Sequence, residues 1–244
     1  MPRCRIIGPG RVGRSLAIAL DRAGWAVVDL LGRDDDVTGA ARGVDVVLVT
    51  TPDRDVDTVA RAVAPEDDVA MVHTSGSLRL DVLAHHRRRA SMHPLASIAD
   101  PVRGAEVLSA GISFATAGDP VVADLVDALG GRAFPVDDEH RDAYHAAAAI
   151  ASNHLVALLG QVERVAAGAG LPLDAYLDLV RRTVDNVEAL GPPAALTGPV
   201  ARRDVDTVRR HLDAVGPAER DGYLACAHLA ARLVGAEPAL AGLS

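Results

Sequence analysis

The chain contains no lysine: all 25 of its basic residues are arginine. Schiff-base chemistry through a side-chain amine is excluded, and so is any mechanism in which a lysine ammonium hands a proton to a carbonyl. Cysteine is nearly as scarce. Cys4 and Cys226 stand in opposite halves of the chain with no second cysteine near either, which suggests neither a disulfide framework nor a zinc site. No stretch approaches the roughly 20 apolar residues of a membrane span. The apolar start is broken by Gly8, Pro9, Gly10 and Arg11, unlike a signal peptide. Long basic runs are missing too. Only Arg87, Arg88 and Arg89 cluster, reading as solvated surface before a strand, and the net charge of -8 argues against nucleic acid as the main partner. These absences point to a soluble cytoplasmic protein, off the membrane.

What is present begins at residues 6–13, I-I-G-P-G-R-V-G, an apolar strand running into a glycine-rich turn. Gly8 can make the tight turn, Gly10 lets the backbone approach a pyrophosphate, and Gly13 lets the following helix sit close on its strand. Pro9, Arg11 and Val12 complete the turn, and phosphates would rest on the helix N-terminus. The motif lies in the strand–turn–helix context it requires. Further apolar runs at 27–31, 44–49, 69–73, 90–92 and 112–115, separated by helix-compatible segments, predict a parallel, doubly wound sheet. A helix is expected over 120–129 and a last strand over 133–136. After Asp137 only helical periodicity remains, broken by Gly170-Leu171-Pro172, Gly191-Pro192-Pro193 and Gly216-Pro217. The reading is a Rossmann dinucleotide-binding domain over 1–137 and an all-helical domain over 138–244.

The strand ends carry the candidate chemistry. The second strand runs into Gly32-Arg33-Asp34, where an arginine can hold the 2′-phosphate of NADP and an acid the ribose hydroxyls of NAD. Arg33 favours NADP, while Asp34 keeps NAD open. The third ends in Thr50-Thr51-Pro52, a turn expected over the cofactor. The fourth gives His73-Thr74-Ser75-Gly76-Ser77 and the fifth Ser91-Met92-His93-Pro94, so Ser75 and His93 are expected to converge near the nicotinamide. His93 is the candidate general acid or base, because histidine titrates near neutrality and no lysine competes. His73 reads as structural, inside its strand.

On the helix expected over 141–167, Ala146, Ala149, Asn153, Val156 and Gly160 share one face at 3.6 residues per turn, and His145 flanks it. Asn153 on that face suits either a packing contact or a bound substrate. Further on, Thr197-Gly198-Pro199-Val200-Ala201-Arg202-Arg203-Asp204 is a polar loop with Asp204 as the natural cap of the next helix. Arg202 or Arg203 could clamp a carboxylate, or both could simply be solvated.

These motifs, with H-A-A-A-A-I-A-S-N-H-L at 145–155 and S-M-H-P-L at 91–95, make the chain resemble the Rossmann-like proteins carrying the DUF2520 domain, within the 6-phosphogluconate dehydrogenase-like superfamily. The resemblance covers essentially the whole chain and implies an NADP-dependent oxidoreductase. The pattern often has glycine where this chain has Arg203, so Arg202 is the better match. Ser75 with His93-Pro94 is similar to the serine and histidine-proline motifs of prephenate dehydrogenases. Asn153 is similar to the helical asparagine of β-hydroxyacid dehydrogenases and ketopantoate reductases, both of which use a lysine absent here. The resemblance therefore implies reduction of a small 2-oxo acid, with Asn153 and Ser75 on its carbonyl, His93 supplying the proton, and Gly76, Thr197, Arg202 and His145 lining the substrate in an interdomain cleft. Helical second domains of this superfamily imply a homodimer. Two alternatives stay open: a nucleotide-binding sensor or scaffold without turnover, and a reductase using the deazaflavin F420.

Overall fold

The short apolar runs all become strands. In the computed structural model, which describes residues 1–242, β1 (Arg3–Ile7), β2 (Ala26–Leu31), β3 (Val46–Val49), β4 (Ala70–His73), β5 (Arg88–Pro94), β6 (Ser113–Gly118) and β7 (Arg132–Pro135) form one sheet. Its order is β2-β1-β3-β4-β5-β6-β7. The chain crosses from β2 over β1 to β3, so the strand order reverses between β1 and β3.

β1 to β5 are parallel, as expected, but β6 runs antiparallel to β5, and β7 parallel to β6. The parallel, doubly wound reading therefore holds for β1 to β5, and the β5–β6 pairing departs from it. Pro94, the last residue of β5, pairs with Phe114 at the start of β6. The connection, which holds α3 (Pro101–Leu108), thus returns to the edge it left instead of crossing the sheet.

Period two in the central strands buries both faces. Cys4, Ile6, Val46, Leu48, Ala70, Val72, Ala90 and Met92 pack with Leu16, Ala19 and Leu20 of α1 (Arg11–Arg22), with α3, and with Leu125 and Val126 of α4 (Val121–Ala128). Ile7, Val47, Val49 and Met71 pack on the other face with Val56 and Ala60 of α2 (Asp53–Ala62). Burial pushes the Cys4 thiol up to about 12, which leaves it inert at neutral pH.

From Asp138 onward the chain is helical. α5 (Arg141–Ala149) and α6 (Leu155–Gly168) occupy the span of the expected long helix, but a π-helical turn, Ile150–His154, joins them. Here Ser152 Oγ donates to the Ala148 carbonyl at 2.9 Å. The wider turn breaks the 3.6-residue period, so the face drawn through Ala146, Ala149, Asn153, Val156 and Gly160 does not continue unchanged across it. The chain divides into two compact units, Met1–Ser152 and Asn153–Ser244, a division that falls later than the change of texture at Asp137. The first turns of α5 go with the sheet because Arg141 is fully buried and donates to Ser91 Oγ on β5 at 2.8 Å.

The second unit holds α6, α7 (Asp174–Leu190), α8 (Pro192–Ala195), α9 (Gly198–Ala201), α10 (Val205–Ala214), α11 (Pro217–Val234) and α12 (Glu237–Leu240). Its core is Val200, Val208, Leu212, Ala227, Ala231, Ala236 and Leu240. Asp204 caps α10, accepting from the Thr207 amide at 3.0 Å. No helix among the described residues is long and apolar enough to cross a membrane.

Candidate functional site

The reversal of strand order opens a crevice at the carboxyl end of β1, where open α/β sheets bind ligands. Gly8 leaves β1 with φ +110°, and its amide donates to the Leu31 carbonyl at 2.9 Å. A Cβ on Gly8 would lie 2.8 Å from the Thr50 carbonyl carbon and the Thr51 amide, so β1 and β3 could not end side by side. Gly13 is tighter still: its Cβ would meet the Gly8 carbonyl at 2.1 Å and Thr50 Oγ1 at 2.5 Å. Around Gly10 the space is open. The three glycines therefore differ in what they do. Gly8 makes the turn, Gly13 brings α1 onto it, and Gly10 leaves the backbone accessible.

A cleft of about 670 Å³ opens over this turn, lined among others by Gly8, Pro9, Gly10, Arg33, Thr50, Thr51 and Pro52. Seven expected cofactor residues are thus brought together. The other three are placed differently. Arg11 is exposed at the first turn of α1, Val12 packs against the core, and Gly13 is buried under the turn. Thr50 is not free to meet a ligand, because its hydroxyl donates to the Gly8 carbonyl at 2.6 Å and so pins the turn. Thr51 Oγ1 is the opposite case, buried without a hydrogen-bond partner. At the end of β2 the acid lining the cleft is Asp35, missed in the sequence, while Asp34 is exposed outside the lining. Asp35 Oδ2 accepts from the Gly32 amide at 2.7 Å, which braces the loop that carries Arg33. An orphaned hydroxyl, an open glycine and an arginine at the β2 end fit a dinucleotide with a phosphorylated ribose.

A second cluster forms where β4 and β5 end. His73 pairs with Ser91 across the ladder, and His93, two residues on, projects from the same face as Ser91. α5 lies over that face and brings Arg141, Tyr144 and His145 onto it at the i, i+3, i+4 spacing of one helix side. His93 Nδ1 is 2.6 Å from the Tyr144 hydroxyl. The His93 and His145 rings meet edge to face, centroids 6.2 Å apart. Gly76 permits this, since a Cβ there would lie 2.9 Å from His93 Nε2 and 2.8 Å from His145 Cδ2.

Electrostatics change the expected role of His93. Burial, then the nearby His145 and Arg141, push its pKa down to about 4. It is neutral at pH 7, not an imidazolium acid. His73 is fully buried and held down to about 4 by the same desolvation and by Arg141, in keeping with a structural residue. Burial raises the Tyr144 phenol to about 12. Ser75 Oγ accepts from the Ser77 and Leu78 amides, both at 3.1 Å, so it shapes the turn after β4. Ser77 Oγ in turn donates to Asp53 Oδ2 at 2.6 Å.

Tyr144 and Arg141, like Asp35, are residues that sequence reading missed. The signal was their spacing with His145, which the small-residue face through Ala146 and Asn153 obscured. Asn153, Thr197 and Arg202 belong to the second unit, where all three are exposed. Arg203 has φ +56°, the only positive value at a non-glycine position among the described residues.

A glycine turn at the switch point of a doubly wound sheet, followed by a helical unit, defines a Rossmann-type protein. Residues 110–230 match DUF2520, a domain of unknown function, so the chain is a Rossmann-type protein carrying a DUF2520 domain. The match starts ahead of β6 and therefore takes in the two reversed strands. Among solved structures, the chain is similar to a Bacteroides fragilis protein provisionally named as an NADP oxidoreductase, with TM-score 0.78 and 22% identity over 95% of this chain and 98% of that one. A Thermotoga maritima protein gives TM-score 0.72 and 27% identity over 96% and 99%. The pyrroline carboxylate reductase of Plasmodium falciparum, solved with NADP bound, gives TM-score 0.59 and 12% identity over 98% of each chain. No curated protein sequence matches.

Proposed function

We propose that the protein is an NADP-dependent oxidoreductase that reduces the carbonyl of a small 2-oxo acid. The observation that carries this is the cleft over the glycine turn, with Gly10 open, Thr51 Oγ1 orphaned and Arg33 at the end of β2. The Plasmodium falciparum reductase, solved with NADP bound, and the name given to the Bacteroides fragilis protein support the same cofactor. NADPH, when bound, supplies a hydride. This chain's residues do the rest: the backbone from Gly8 to Gly10 faces the pyrophosphate, Thr51 offers its hydroxyl, and Arg33 holds the 2′-phosphate. NADP is preferred to NAD because Arg33 lines the cleft, while Asp35 beside it is engaged by the Gly32 amide and Asp34 lies outside the lining.

On the substrate side, His93 supplies the proton as a neutral imidazole, beside Gly76 and His145. Ser75 is assigned to holding the turn that carries Gly76, and Asn153, Thr197 and Arg202 of the second unit are candidate substrate contacts to be tested by substitution. The test is NADPH oxidation against a panel of 2-oxo acids. His93→Ala and Asn153→Ala are expected to lower turnover by about 10²-fold or more while leaving NADPH affinity within twofold; unchanged turnover in both removes these roles. The missing lysine supports one other reading, a nucleotide-binding sensor or scaffold, which NADPH binding without oxidation across the panel would favour.

We further propose a homodimer built through the helical unit. α7 spans 17 residues and buries none of them. Leu179, Val184, Val187 and Leu190 are exposed on it, as are Leu155, Val156 and Leu158 on α6. So much exposed apolar surface marks an interaction face. A second copy is the partner always present.

A further inference from the structure

We propose that Tyr144 is the proton donor of this site, acting through His93. The inference rests on the reductase reading above and supplies what that reading lacks, a source for the proton in a chain without lysine.

Three observations carry it. The first is the 2.6 Å contact between the Tyr144 hydroxyl and His93 Nδ1. A neutral imidazole has one donor nitrogen and one acceptor. If the phenol donates to Nδ1, the ring hydrogen sits on Nε2, the edge that lies beside Gly76. The second is Arg141, one turn before Tyr144. It is fully buried, yet its Nε and one terminal nitrogen, Nη1, have no hydrogen-bond partner. Its other terminal nitrogen donates to Ser91 Oγ, and Asp138 stands 3.7 Å from Nε, at ion-pair but not hydrogen-bond distance. A buried guanidinium with spare donors calls for an explanation, and a negative charge forming at Tyr144 provides one. The third is the surroundings of His93. Burial first, then His145 and Arg141, oppose a positive charge on the ring, and Asp53 favours it less strongly. The site is built to pass a proton through a neutral ring rather than to store one there.

The step balances as follows. With a reduced nicotinamide bound to supply the hydride, the substrate's carbonyl oxygen would take the Nε2 proton of His93. The Tyr144 proton moves to Nδ1, leaving a phenolate near Arg141; when solvent returns a proton to Nε2, the Nδ1 proton goes back to the phenolate and the starting tautomer is restored.

Nitrogen-15 NMR of histidine-labelled protein saturated with NADPH decides the direction of the hydrogen bond, with His93 assigned by His93→Gln. We expect an Nε2–H tautomer whose Nδ1 resonance moves in Tyr144→Phe; an Nδ1–H tautomer, with the ring donating to the phenol oxygen, overturns the proposal. Kinetics on a 2-oxo acid panel that includes pyruvate and ketopantoate provide the second reading. We expect Tyr144→Phe to keep its thermal melt and its NADPH affinity within twofold but lose about 10²-fold in kcat. Wild-type kcat should stay level between pH 6 and about pH 10. A kcat falling with an apparent pKa near that of free histidine, or an unaltered Tyr144→Phe, overturns it. Failure of the protein to bind NADPH would remove the reductase reading while the tautomer measurement, repeated without nucleotide, still judges the Tyr144–His93 pair.

Discussion

A single residue in an uncommon conformation, Arg203, shows how backbone geometry reaches function. Its φ of +56° places a long side chain where glycine is at ease. Arg203→Gly is expected to raise stability by about 0.5–1 kcal/mol, the left-handed cost relieved less the extra freedom of an unfolded glycine; chemical denaturation measures it, and a loss of stability would mean the guanidinium has a contact that matters. His73 and His93 set a second residue-scale property. Both are pushed down to about 4, so between pH 6.5 and 4 the unfolded chain binds protons that the folded chain refuses. Stability therefore falls as pH drops through that window, each group contributing a slope of up to about 1.4 kcal/mol per pH unit, and is unaffected by these groups above it. Melts across pH 4–7 should show the decline, and His73→Asn should shallow it. An unchanged slope would place the titration elsewhere.

At the scale of elements, Gly10 and Gly13 separate packing from ligand binding. Gly13→Ala puts a methyl into the Gly8 carbonyl and Thr50, so α1 must shift; about 1–3 kcal/mol of destabilisation is expected, with loss of nucleotide binding. Gly10→Ala meets no atom within 4 Å and should keep the melt while weakening NADPH. Equal melts for the two variants would contradict the packing account. The seven strands were legible because each is a short apolar run between turn residues, and the glycine turn because its spacing and position are both constrained. Strand direction was not: the run ending at Ala115 has the same composition whether it enters from one edge or the other, and only the return of the α3 connection to Pro94 reverses it. The π turn was equally hidden, since Ile150-Ala151-Ser152 fit an ordinary helix until Ser152 bonds back to Ala148. Tyr144 and Arg141 escaped notice because their partners, His93 and Ser91, are about 50 positions away along the chain, and only the docking of α5 on β5 joins them.

For the whole molecule, the exposed apolar residues of α6 and α7 predict a dimer in light scattering at micromolar concentration. Leu179→Asp with Val187→Asp should yield a monomer that keeps its helical content, whereas a monomeric wild type would refute the pairing. The charge of -8 leaves the nucleotide, also an anion, dependent on local rather than overall attraction. Arg33 therefore carries the central claim. Titration of the purified protein with NADPH and NADH, followed by nucleotide fluorescence, is the most direct test of it. The account predicts tighter binding of NADPH and, in Arg33→Ala, a loss of about 10–100-fold in NADPH affinity with little change for NADH, as expected for a lost charged hydrogen bond of roughly 1.5–3 kcal/mol. Binding of neither nucleotide, or a variant that binds both as the wild type does, would contradict it.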